Sequence, residues 1–109
     1  MRRPRIEFLW WRECPSWERA LEMLREEAEG AGLDPEVIEV SEIDSDEDAE
    51  RNDFPGSPTI RLDGEDFQPA GAEAPRGLTC RVYRHRDGRA SPLPDREDLR
   101  EALRKATDR

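Results

Sequence analysis

The sequence is short of lysine, amides and histidine. Lys105 is the lone lysine beside seventeen arginines, Asn52 and Gln68 are the only side-chain amides, and His85 is the only histidine. With one histidine and two cysteines, a zinc site of the usual four protein ligands is not expected. Long apolar runs are missing too: none approaches the roughly 18 residues of a membrane span. The basic start, MRRPRIEFLWW, has neither an apolar stretch long enough for a signal peptide nor a small-residue cleavage site after it. A cytoplasmic protein with no membrane partner is the expectation. Cys14 and Cys80, 66 positions apart, are too few for a secreted disulfide scaffold. In a reducing compartment each is a free thiol or part of a redox or soft-metal site. A Cys-x-x-Cys pair is absent as well, because Trp17 stands three places after Cys14.

What the chain has in abundance is charge. Charged residues make up 41% of it and hydrophobic residues 34%, a balance that on its own leans toward disorder, so any fold must rest on local apolar periodicity. The net charge of -9 argues against non-specific nucleic-acid binding, which needs concentrated positive charge. A length of 109 residues fits one domain, 1–109, with a small core. Many charges and few amides suit a heat-tolerant protein, although genome base composition gives a similar arginine bias.

The periodic segments are these. RIEFLWW, residues 5–11, alternates Ile6, Phe8 and Trp10 against Leu9 and Trp11, predicting a strand covered on both faces. A helix is predicted from about Pro15 to Glu29, since proline is tolerated in a first turn and Trp17, Leu21, Leu24 and Ala28 fall on one face. Gly30 and Gly32 supply its stop. EVIEVS, residues 36–41, reads as a short strand, and the acidic DSDEDAERN, residues 44–52, as a short helix.

FPGSPTIRL, residues 54–62, is a loop entering a strand, and Asp63-Gly64 signals a hairpin with Glu65 to Gln68 returning. Pro69 to Gly77 reads as a loop, TCRVY at 79–83 as another strand, and Asp87-Gly88 as a second turn. The chain closes on a helix with Asp95 as its cap and Leu99, Leu103 and Ala106 on its apolar face. The first crossover is expected to be right-handed and parallel, and the hairpin antiparallel. The result is a mixed sheet flanked by helices.

Two local features resemble the thioredoxin-like superfamily, nearest in scale to its small glutaredoxin-like and thioredoxin-family members. One is a strand followed by Trp11-Arg12-Glu13-Cys14-Pro15-Ser16-Trp17 and a helix; the other is Gly56-Ser57-Pro58-Thr59-Ile60. The resemblance covers about Ile6 to Gln68 and the last helix, leaving Pro69 to Pro94 as an extra strand or loop insertion. It implies an α/β thioredoxin-like fold and a cis bond before Pro58. It also implies a backbone edge framed by Ser57 and Thr59 that pairs with a bound peptide or glutathione. Dithiol members carry a second cysteine where Trp17 stands here, whereas monothiol glutaredoxin-like proteins keep only the first.

Cys14 is the first candidate catalytic residue. A helix N-terminus favours a thiolate, Arg12 adds positive charge and Glu13 opposes it. The plainer reading is a small buried hydrophobe ahead of a proline-started helix. Cys80 is the second candidate, as a resolving cysteine if its strand lies near Pro58, because attack on a mixed disulfide needs sulfur proximity rather than a fixed spacing. Plain strand burial competes with that role.

Trp11, Arg12, Trp17, Ser57, Pro58, Thr59 and Arg81 are the candidate substrate-binding residues. Trp11 offers a ring beside the cysteine, with strand packing as its alternative, while Trp10 and Trp17 are expected in the core. Arg81, on the same side of its strand as Tyr83 and opposite Cys80 and Val82, is one of a cluster with Arg76, Arg84, Arg86 and Arg89 that would suit a carboxylate or a small oxyanion. A solvated surface or an acidic self-partner explains that cluster equally well, and His85 beside its Asp-Gly turn reads as a surface residue.

Three functions follow. The first is a thiol-disulfide oxidoreductase or thiol-dependent reductase acting through Cys14, resolved by Cys80 or by glutathione as co-substrate, with no bound cofactor required. Its partner is a thiol or disulfide, small molecule or protein. The second is a non-catalytic thioredoxin-like binding module. The third is a soft-metal or organomercurial-handling protein using Cys14 and Cys80.

Overall fold

A computed structural model describes residues 3–69 and 76–108. Its centre is a four-stranded mixed sheet in the order β2-β1-β3-β4, formed by β1 (Ile6–Trp10), β2 (Glu39–Glu42), β3 (Thr59–Leu62) and β4 (Glu65–Asp66). Strand β1 runs parallel to β2, with Phe8 opposite Val40, and antiparallel to β3, with Phe8 opposite Ile60. Strands β3 and β4 form the hairpin, turned by Asp63 and Gly64 at positive φ. This is the conformation that makes Asp-Gly a hairpin dipeptide.

The alternation in β1 sorts the sheet into two faces. Ile6 and Phe8, with Trp10 at the margin, join Ile60 and Leu62 under α1 (Trp17–Gly30) and α3 (Arg96–Asp108). Ala20, Leu21, Leu24 and Ala28 of α1 and Leu99, Leu103 and Ala106 of α3 supply the facing stripes. Leu9 points the other way, into a smaller cluster with Ile43, Phe54 and Ala49 of α2 (Asp46–Arg51), bordered by Trp11 and Leu78. Helices therefore cover both faces, an α/β arrangement broadly compatible with a thioredoxin-like one.

Several boundaries differ from the sequence expectation. Helix α1 begins at Trp17, with Ser16 as its cap residue, so Pro15 lies in the preceding turn. The segment read as one strand from Glu36 is a 3-10 turn at Pro35–Val37 followed by β2, because Asp34 caps the turn by accepting from Glu36 N. TCRVY is not one strand. Cys80 forms an isolated parallel bridge with Ser57, and only Tyr83–Arg84 (β5) pairs onward, antiparallel with Ala90–Ser91 (β6). Of the expected loop from Pro69 to Gly77, residues 70–75 lie outside the described residues. No described helix is long and apolar enough to cross a membrane.

Candidate functional site

The site is built around Ser57, a fully buried serine with every backbone and side-chain polar group engaged. Its Oγ accepts from Trp11 N at 3.0 Å, fixing the end of β1 to the loop that enters β3. Its N–H donates to Thr79 O at 2.8 Å, and its carbonyl accepts from Arg81 N at 2.8 Å. The same carbonyl receives the Cys14 thiol at 3.5 Å. The Ser57–Pro58 peptide bond is cis. Thr59, also buried, donates its Oγ1 to Gly56 O at 2.6 Å and closes the loop onto itself. Pro58 O takes a hydrogen bond from the Tyr83 hydroxyl.

The backbone edge of Ser57 is thus filled by the chain's own Thr79–Arg81. A Cβ added to Gly56, whose φ is +129°, would meet Arg81 N and Cβ at 3.1 Å, so a glycine is what lets the two backbones come together. This approach carries Cys80 to Cys14. The Cys80 thiol is pushed above the ordinary cysteine range, first by desolvation, then by the charge of Cys14 and a hydrogen bond with it. The two thiols, separated by Trp17 and sixty-odd further residues of chain, are spatial neighbours, and both are free.

Their exposures are opposite. Cys14 is only 1% exposed, whereas Cys80 is an exposed residue, so burial does not account for Cys80 as strand packing would. Cys14 is held in a turn before α1 rather than in its first turn: its N–H donates to Trp11 O at 3.0 Å and its carbonyl accepts from Trp17 N at 3.5 Å. Ser16 makes no side-chain cap to the helix.

The alternation Thr79 to Tyr83 survives, with an unexpected filling. Arg81 and Tyr83 share the inner side, while Cys80 and Val82 face out, Val82 being 67% exposed. Buried Arg81 sets its guanidinium on both carboxylate oxygens of Asp66 and on Gln68 O, and stacks 4.4 Å over the Tyr83 ring. The Tyr83 hydroxyl is raised well above its ordinary pKa, chiefly by burial, with the Arg81 charge opposing. Asp66, the partner that lets an arginine be buried, carried no signal in the sequence beyond its place after a hairpin turn.

The remaining candidates are spread out. Trp17 stacks on Trp10 at 4.0 Å between centroids against the larger core cluster, while Trp11 borders the smaller one near the cysteines. Arg12 is exposed and lies 3.8 Å from Glu42. The other arginines of the cluster do not combine into one patch. Arg76 pairs with Asp53, Arg86 with Asp98 and Glu101, and Arg89 with Asp87, and Arg84 donates to Gly88 O. His85 is anchored rather than loose, with Nε2 2.7 Å from Leu93 O and Nδ1 3.9 Å from Asp95.

Among the described residues no group of three or more His, Cys, Asp or Glu side chains is disposed to hold a metal ion. A groove of roughly 350 Å³ between β4 and α3, lined by Asp66, Phe67, Glu101 and Lys105 among others, includes neither cysteine. Compared with known proteins, the chain matches no family model, and no curated protein or solved structure matches it significantly.

Proposed function

We propose that the chain is a thioredoxin-like protein that performs thiol–disulfide exchange at the Cys14 and Cys80 pair, cycling between a dithiol and an internal disulfide. The observation that carries this reading is the bridge between Ser57 and Cys80, together with the Cys14 thiol on the same Ser57 carbonyl. One backbone position thus collects both cysteines, the Cys80 thiol feels the charge of Cys14 and a hydrogen bond with it, and exchange requires sulfur proximity rather than Cys-x-x-Cys spacing. The external partner is a thiol or disulfide, small or polymeric, and glutathione is a natural co-substrate for the turnover. No bound cofactor is needed for such chemistry.

The two alternatives have less support. A binding module that uses the Ser57 edge meets an edge already hydrogen-bonded to Thr79 and Arg81. A soft-metal protein would have two thiols and, among the described residues, no third ligand of the usual kinds beside them.

The test is equilibration of the full chain in glutathione buffers of graded potential, followed by acid quench, alkylation and intact-mass measurement. The expected product is a chain that has lost both free thiols and carries no glutathione. A chain that accumulates glutathione adducts with no internal disulfide at any potential would defeat the two-thiol reading.

A further inference from the structure

We infer that Cys80, and not the helix-proximal Cys14, is the thiol that first meets an external disulfide, with Cys14 acting second from beneath it. This rests on the exchange reading above and assigns an order to its steps. Access sets that order. Thiol–disulfide exchange begins with a sulfur reaching a sulfur, and Cys14 is 1% exposed while Cys80 is an exposed residue.

The segment bonded to Ser57, on whose carbonyl the Cys14 thiol also sits, is not a lightly held flap. Thr79 and Arg81 make backbone hydrogen bonds of 2.8 Å to Ser57 on either side of Cys80. Arg81 is anchored below by Asp66, Gln68 O and the Tyr83 ring, and its backbone sits tight against Gly56. Moving the segment aside would break the two backbone bonds and uncover a buried charge, a loss that grows with each unpaired group. Reaching Cys80 breaks nothing, and the flanking Thr79 and Val82 are exposed as well.

The steps balance. The Cys80 thiolate attacks one sulfur of the external disulfide; that S–S bond breaks, a Cys80 mixed disulfide forms, and the first thiolate leaves and takes a proton from solvent. The Cys14 thiolate then attacks the Cys80 sulfur from the buried side. The mixed disulfide breaks, the Cys14–Cys80 bond forms, and the second thiolate departs outward and takes up a proton, so that solvent returns the two protons the Cys80 and Cys14 thiols gave up on forming their thiolates. The external disulfide gains two electrons and the protein dithiol loses them. The raised pKa of Cys80 limits its thiolate fraction, but such a thiolate is the stronger nucleophile, so access decides the order.

The experiment uses glutathione disulfide as probe on the reduced full chain, with quenching at short times and peptide mapping. C14S is expected to accumulate a stable glutathione adduct on Cys80, formed about tenfold or more faster than the adduct on Cys14 in C80S. In the unaltered chain, brief treatment with iodoacetamide is expected to label Cys80 before Cys14. This second readout does not depend on either variant folding. Equal or faster reaction at Cys14, in C80S or in the unaltered chain, overturns the order and means that Thr79–Arg81 swings away. Adduct formation led by Cys80 without any later internal disulfide would uphold the order while defeating the two-thiol function, so the two failures are distinguishable.

Discussion

The two faces of the sheet differ in what holds them. On one face, α1 and α3 lay apolar stripes on Ile6, Phe8, Ile60 and Leu62, and buried Glu27 of α1 ties itself to Arg96 and Arg100 of α3 at 2.8 Å each. On the other, a six-residue helix and the Leu78 side chain close a cluster of four buried residues, and one extended segment, Thr79–Arg81, is bonded to Ser57 beside it. The thick face carries most of the buried apolar side chains, while the cysteines belong to neither cluster and meet at Ser57, in the loop that enters β3. Of the two thiols only Cys80 is open to solvent, and the segment that carries it is bonded firmly to Ser57 on both sides.

The largest effect is expected from thinning the thick face. Leu24→Ala removes a fully buried side chain of α1 from the larger core cluster, and should cost about 3 kcal/mol in urea unfolding. Its effect on the rate of Cys80 alkylation in the folded state should be small. A large rate change would mean that the thick face and the thiols are not separable.

The next is Gly56→Ala in the loop that enters β3. A methyl group there has to adopt φ +129° and press on Arg81 N and Cβ, at a cost of about 2 kcal/mol. Unlike Leu24→Ala, this change should loosen Thr79–Arg81 and raise the alkylation rate of Cys14. An unchanged Cys14 rate would mean that the close approach does not govern access to it.

The smallest is Glu27→Gln, expected to cost about 1 kcal/mol at neutral pH because both arginine partners are half exposed and screened. Hydrogen bonding to Arg100, opposed by desolvation and helped by Arg96, holds the Glu27 carboxyl below its usual range. A depressed folded-state pKa contributes stability that is complete above the unfolded value of about 4.3 and is lost as pH falls through the folded value. The difference between wild type and variant should therefore be present at pH 7 and shrink below about pH 4 in a series of urea titrations. A difference that persists at low pH would assign the effect to packing.

The thick face was largely legible in the sequence. Period-two alternation in β1 and helical spacing at Leu21, Leu24 and Ala28 arise from local geometry, which each segment carries by itself. The Asp63-Gly64 turn was legible for the same reason. The surroundings of the thiols were less so. The alternation from Thr79 to Tyr83 correctly put Arg81 with Tyr83 and opposite Cys80, but hydropathy would bury Cys80 and Val82. A carboxylate from β4 and an aromatic ring reverse that preference by making the arginine side the satisfied one. Such a partnership is invisible until Asp66, fifteen residues earlier, arrives beside it.

The α/β order of elements, the two faces of β1, the hairpin, and a pair of cysteines with no Cys-x-x-Cys between them can all be read along the chain. That Cys14 is buried, that Cys80 is exposed, and that both gather at Ser57 depends on how the chain folds back on itself. Propensity and periodicity act over a few residues. The meeting of two thiols 66 positions apart is instead set by a glycine that admits a neighbouring backbone and by a buried arginine that anchors it.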